Sequence, residues 1–175
     1  MKHALVMYES MFGNTKEIAE AVAEGLRETM TVKLVEVGSA PVELSEEVGL
    51  LVVGGPTHAF SMSRPSTRAD AAGKGADEQA AAGTGLREWA ERIGKGSVRP
   101  PVAAFDTKVK GLMTGSAARA AIKLLRRAHF PVLLAPENFY VDGTAGPLLE
   151  GESKRAQVWG AKCAAEVGEA STPAP

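Results

Sequence analysis

The stretch MYESMFGNTKEIAEAV, Met7 to Val22, carries a strand-like run into a helical pattern through a short polar turn. The apolar run HALVMY (His3–Tyr8) leads into it, and beyond it Ile18, Val22 and Leu26 recur at four-residue steps, one stripe of an amphipathic helix. Between the two lie Ser10, Gly13, Asn14 and Thr15. A helix start exposes unpaired N–H groups and the positive end of the macrodipole, so it attracts anions. Ser10 and Thr15 offer hydroxyls, Asn14 an amide, and Gly13 lets the backbone come close without a Cβ. The first cation is Lys16, so a phosphate here is held by neutral donors. The spacing is neither that of a P-loop nor that of the G-x-G-x-x-G dinucleotide fingerprint. A plain structural reading stays open, because Asn14 and Glu17 have the spacing of a capping box.

The same alternation runs outward along the chain. TVKLVEV (Thr31–Val37) has period two, VELSEEV offers a short helix, and GLLVVGG (Gly49–Gly55) is apolar on both faces, as a central strand requires. From Thr57 to Gly85 the composition turns to Ala, Gly, Ser, Arg and Asp, which predicts a long loop of the lid or binding kind. The rhythm then resumes. Leu86, Trp89 and Ile93 share a helix face, PVAAF (Pro101–Phe105) reads as a strand, and SAARAAIKLLRRAHF as a helix with Ala118, Ile122 and Leu125 on one side. PVLLA (Pro131–Ala135) is the fifth expected strand, and Ala156, Trp159, Cys163 and Val167 line a last helix. Strands alternating with helices predict an α/β three-layer, doubly wound, five-stranded parallel sheet. Ligands of such sheets bind beyond the carboxyl ends of the strands, so the loops after strands one, three and four should build the site. One domain, residues 1–168, with the loop at 57–85 and a frayed tail at 169–175, is expected.

Bulk properties exclude several classes. With 45% apolar and 23% charged residues the chain has a globular balance, and its net charge of −1 calls for neither nucleic acid nor a membrane surface. The single cysteine, Cys163, permits no intrachain disulfide and no cysteine zinc site. The amino terminus is too short in apolar residues for a signal peptide, and no run reaches the ~18 apolar residues of a transmembrane helix, so a cytoplasmic protein without membrane insertion is expected. Trp89, Trp159 and Cys163 sit at core spacing, and no hydrolytic or metalloprotease motif is present.

At this point a resemblance becomes specific. SMFGNT (Ser10–Thr15) resembles the phosphate loop of the flavodoxin family, usually Ser/Thr-x-Ser/Thr-Gly-Asn-Thr, and GGPTHAF (Gly54–Phe60) is similar to the G-x-P-T loop of flavodoxin-like quinone reductases. The match of elements runs from His3 to about Val167. The resemblance implies strand order 2-1-3-4-5 with FMN at the switch point, an arrangement for which flavodoxin is itself a standard example. It implies that Ser10, Met11, Phe12, Gly13, Asn14 and Thr15 wrap the FMN phosphate. Pro56, Thr57, His58, Ala59 and Phe60 would then lie along the isoalloxazine. Asp106, Thr107 and Lys108 would sit near its other edge or the ribityl chain.

Three departures stand out. Phe12 replaces a common hydroxyl, and DTKVKGLMTGSAA carries no Tyr or Trp to stack on the flavin, which implies a less tightly held cofactor. Arg64, Arg68, Lys74, Lys108 and Lys110 stand where an acidic surface is usual. The function implied is electron transfer through FMN, either as a carrier to a redox partner protein or as an NAD(P)H-linked quinone-type reductase. A flavin-free flavodoxin-fold binding or regulatory module is the alternative.

Overall fold

The computed structural model describes residues 2–111 and 115–170. Five strands, β1 (His3–Tyr8), β2 (Val32–Glu36), β3 (Val48–Pro56), β4 (Val102–Val109) and β5 (Glu137–Val141), form one parallel sheet in the order β2-β1-β3-β4-β5. Around it run α1 (Asn14–Arg27), α2 (Pro65–Ala72), α3 (Glu78–Ala82), α4 (Leu86–Ile93), α5 (Ala117–Arg127) and α6 (Glu152–Ala170). The fold class and strand order are those expected.

Alternation along the central strands sorts the core into two layers. Ala4, Val6, Leu50, Val52, Ala103 and Phe105 face α1 and α6 and meet Ile18, Val22, Leu26, Ala156 and Trp159. Leu5, Met7, Leu51, Val53, Val102 and Ala104 face the other way, against Leu86, Trp89 and Ile93 of α4 and Ala118, Ile122 and Leu125 of α5. In the first layer Phe105, Phe139 and Trp159 meet edge to face with centroids 6.0–6.2 Å apart, the geometry their ring quadrupoles favour.

Four expectations need correction. PVLLA makes only one bridge, Val132 to Val102, and the fifth strand is ENFYV, which pairs with Phe105–Val109. Pro131 and Pro136 bracket the first run and lack the N–H a ladder needs, so pairing resumes only beyond them. VELSEEV forms bends and a turn rather than a helix. The segment 57–85 carries α2 and α3 rather than an extended loop. The last helix runs to Ala170, past the expected boundary at 168, and residues 171–175 of the expected tail lie outside the described residues.

Helices α1 and α6 approach closely because both carry glycine at the crossing. A Cβ at Gly25 would run into the Gln157 carbonyl, and one at Gly160 into the Val22 carbonyl. Neither obstacle is a side chain that can swing away. Gly25→Ala should therefore destabilise the fold by about 3 kcal/mol through overpacking, read from urea unfolding. Gly168→Ala, where a Cβ meets nothing within 4 Å, should instead stabilise by about 0.5–1 kcal/mol.

Candidate functional site at the carboxyl ends of the strands

The loop between β1 and α1 leaves its helix start open. Gly13 is the N-cap, at φ 91°, and no side chain caps the helix from that position. The positive φ is one that glycine adopts at little cost. Ser10 Oγ accepts from Gly13 N at 3.1 Å and Lys16 N at 3.3 Å, curling the loop around its own hydroxyl. The N–H groups of Asn14 and Thr15 have no acceptor among the described residues. The capping box that Asn14 and Glu17 permit does not form: Asn14 Nδ2 donates to Ala145 O at 3.1 Å, and Glu17 Oε1 accepts from Ser153 Oγ at 2.7 Å.

Three threonines from three elements converge beside this opening. Thr15 Oγ1 lies 2.7 Å from Thr107 Oγ1 in a buried pair, and Thr57 Oγ1 accepts from Ala117 N at 2.9 Å, leaving its own proton to donate elsewhere. A cavity of about 90 Å³ brings together Ser10, Met11, Phe12, Asn14, Thr15, Pro56, Thr57, His58, Thr107 and Lys108. No carboxylate lines it. A second cavity of about 280 Å³ shares Phe12, Thr57, His58 and Thr144 with the first and adds Ala59, Asp70 and Lys74. Orphan N–H groups, free hydroxyl capacity and the absence of negative charge fit the anionic end of FMN.

The remaining expected site residues fall elsewhere. Gly13 faces a larger cavity of about 710 Å³ between the loop, the end of β2 and α3. Asp106 is fully buried beneath α5, accepting from Ser116 Oγ at 2.6 Å, Ala118 N at 3.0 Å and Asn138 Nδ2 at 2.7 Å, so it braces the loop from behind. Phe60 lines neither of these two cavities and stands 68% exposed beside them. Asp106, Thr107 and Lys108 belong to β4 itself rather than to a loop after it, while Leu112, Met113 and Thr114 of the expected third loop lie outside the described residues.

His58 to Ser61 closes a tight turn by reciprocal bonds, His58 N to Ser61 O at 2.8 Å and Ser61 N to His58 O at 3.0 Å. Its central residues Ala59 and Phe60 have φ of 44° and 72°, a left-handed conformation that costs residues bearing a Cβ of the order of 1 kcal/mol or more each. Ser116 N holds the Phe60 carbonyl at 3.2 Å, and Gly115 leaves room for it, since a Cβ there would strike the Phe60 backbone. Within the turn His58 Nδ1 lies 3.3 Å from Thr67 Oγ1. Burial first, then the charges of Arg68 and Lys74, push the imidazole below its ordinary value of 6.5.

No motif signals the network that anchors the 57–85 segment. Glu9, 1% exposed just past β1, accepts from Ser63 Oγ and, at 2.7 Å, from Leu86 N. Arg68 donates to Ser63 Oγ at 3.0 Å and pairs with Glu88 at 3.3 Å. Arg68 is thus a buried structural cation and not one of the expected surface charges around the flavin. Burial raises the Glu9 carboxyl above its ordinary value, opposed by the Leu86 and Ser63 bonds and by Arg68. On the outer side Asp77 N donates to Met11 O at 3.1 Å, and Met11 packs with Ala71 and Ala76, so the segment also grips the phosphate-side loop.

Two measurements check this geometry. By NMR titration His58 should be neutral at pH 7 with its midpoint below 6.5, and Lys74→Ala should move that midpoint upward. The folded form binds this proton less readily than the unfolded chain. His58 therefore contributes stability above pH 6.5 that is lost as pH falls through its lowered value. Arg68→Met leaves Glu9 and Glu88 without their buried cation and should cost about 3–5 kcal/mol in chemical unfolding.

Comparison with known proteins agrees with this fold. The family model described as Flavodoxin matches residues 6–94, from within β1 to the end of α4. No curated protein matches the chain. Among solved structures, a flavodoxin from the domain Archaea is 19% identical, with 96% of this chain and 99% of that one covered and a TM-score of 0.64. A flavodoxin, WrbA-like protein from Agrobacterium tumefaciens is 20% identical, covering 97% and 99%, at 0.59. Rubredoxin oxygen:oxidoreductase from Desulfovibrio gigas is 18% identical over 97% of this chain but only 37% of its own, at 0.64. No helix of the described residues is long and apolar enough to cross a membrane.

Proposed function

The chain belongs to the flavodoxin family, whose cofactor is FMN, and on that premise we propose that it is an electron carrier that exchanges electrons with a protein partner. FMN, when bound, supplies the one- or two-electron chemistry, and the polypeptide supplies grip, orientation and shielding. The Asn14 and Thr15 N–H groups with the Ser10, Thr15 and Thr107 hydroxyls would hold the phosphate. Asn14 draws the Ala145 loop over that end. Thr57, fixed by Ala117 N, presents its hydroxyl proton toward the cavity, and neutral His58 can accept or hold a proton there.

The observation that carries the choice of carrier is the anchoring of residues 57–85. A reductase that admits substrate under a lid needs a segment that opens. Here the covering segment is tied at Ser63 and Asp77 to Glu9 and Met11 of the loop after β1, Leu86 just beyond it also bonds Glu9, Arg68 fastens Ser63 to Glu88 of α4, and Phe60 stands exposed at the mouth instead. One observation favours the NAD(P)H-linked reductase: Lys74 and Asp70 line the 280 Å³ cavity beside His58, where a small charged donor could lodge.

Anaerobic mixing separates these readings. The FMN-loaded carrier should keep its visible flavin absorbance with NADH or NADPH alone and lose it with dithionite; bleaching by NAD(P)H would establish the reductase instead. A flavin-free module would leave FMN fluorescence unquenched at high protein concentration.

The phosphate assignment has its own test. Thr15→Val or Ser10→Ala should weaken FMN about ten- to a hundredfold while riboflavin, which lacks the phosphate, is little affected. Equal losses for both ligands would remove the phosphate from this loop.

A further inference from the structure

Charge in this chain is segregated. Nine of its 20 Lys and Arg but only one of its 21 Asp and Glu fall within residues 92–136, leaving 11 cations and 20 acids for the remainder. The one acid, Asp106, is fully buried and bonded to Ser116, Ala118 and Asn138, so it screens nothing at the surface. Arg119, Lys123, Arg126 and Arg127 project from α5 into solvent, and none has an ion-pair partner among the described residues. They line a groove of about 590 Å³ together with Ile122 and Pro136. Spacings of three and four residues stack these like charges along one stripe, and no ion pair among the described residues relieves their repulsion.

The stripe starts at the flavin loops. Ala117 N bonds Thr57, and Ser116 N bonds the Phe60 carbonyl, so the first turn of α5 is fastened to the mouth of the site. At that mouth Phe60 and Val109 are exposed apolar side chains, and Lys108 and Lys110 flank Val109. An exposed apolar patch at the end of a run of like charge is the anatomy of a transient protein interface.

We propose that the face from Phe60 and Val109 down the basic stripe of α5 is the docking surface for an acidic protein, which presents carboxylates to Arg119, Lys123 and Arg126. The proposal rests on the carrier reading for its purpose, though not for its test. Charge complementarity selects the partner's sign. The apolar centre at one end of the stripe favours a protein over nucleic acid, and the apolar side of α5 is spent against the sheet, which leaves no face to enter a lipid surface.

Calorimetry of the FMN-loaded protein at low ionic strength would use acidic cytochrome b5 as the probe, beside basic cytochrome c, duplex DNA and anionic phosphatidylserine vesicles. Cytochrome b5 should bind, and its affinity should fall at least about tenfold in the combined R119E/K123E/R126E variant. Raising salt should weaken it steeply, whereas Phe60→Ala should weaken it with the salt slope unchanged. Cytochrome c binding as well as cytochrome b5, unchanged affinity in the charge variant, no binding at all, or tighter binding of DNA or vesicles would each overturn the proposal. The R119Q/K123Q/R126Q variant serves if the reversed charges prevent folding. FMN retention, measured in parallel, separates the two failures: a parent chain that holds no flavin refutes the carrier reading, and the same calorimetry on the flavin-free chain still reads the docking.

Discussion

The first turn of α1 is left without a cap, and the rest of the site is arranged around that omission. A helix start has several N–H groups to satisfy, and a chain that only needed a stable helix would place Ser, Thr, Asp or Asn at the N-cap. Here the cap is Gly13, and Asn14, the residue best suited to cap, reaches away to the Ala145 carbonyl. Ser10 Oγ accepts from Gly13 N and Lys16 N, which shapes the loop and leaves the hydroxyl proton to donate outward. Unsatisfied donors at the positive end of a 14-residue helix form a cradle whose natural complement is an anion.

Alternation of side chains along the strands explains where the supporting residues go. In β4, Ala103 and Phe105 face α1 and α6, and Thr107, next in that series, meets Thr15 of α1. Val102 and Ala104 face α4 and α5, and Asp106 follows them to the start of α5. In β1 the series Leu5, Met7 extends to Glu9, which accordingly meets Leu86 at the start of α4. One period-two rule thus sends the Thr107 hydroxyl toward the start of α1 and two carboxylates to the starts of α4 and α5. Asp106 and Glu9 differ in kind from the site residues they neighbour because they sit one step out of phase with them.

The same rule marks what the sequence discloses and where it falls silent. The two motifs at Ser10–Thr15 and Gly54–Phe60, with the stripes of α1, α4, α5 and α6, are local patterns, and local patterns survive without tertiary knowledge. Asp106 is legible too, because the alternation of PVAAF continues one residue past it. The fifth strand is not: PVLLA is the more apolar of two short neighbouring runs, ENFYV carries Glu137 and Asn138, and only pairing with β4 selects the second. Helices α2 and α3 are hidden because an Ala- and Gly-rich segment has little amphipathic contrast, and their placement depends on Glu9 and Met11, far away in sequence. The turn at Ala59 and Phe60 violates the usual demand for glycine, so no residue type announces it.

These features share an energetic logic. Orphan donors at Asn14 and Thr15, a left-handed turn at Ala59 and Phe60, and a buried carboxylate at Glu9 all lower the stability of the chain by itself. They cluster at one end of the sheet, while the opposite demands of the core are met by close packing between α1 and α6 and by the Phe105–Phe139–Trp159 trio. The buried Arg68 offsets part of the cost at Glu9, but a buried ion pair contributes geometry more surely than it contributes stability. A ligand that satisfies the orphan donors binds the folded form and not the unfolded chain, so it returns stability in proportion to the logarithm of its concentration over its dissociation constant. Instability concentrated where an anion would relieve it, rather than spread through the molecule, is what distinguishes a site built for a ligand from a loop that merely connects a strand to a helix.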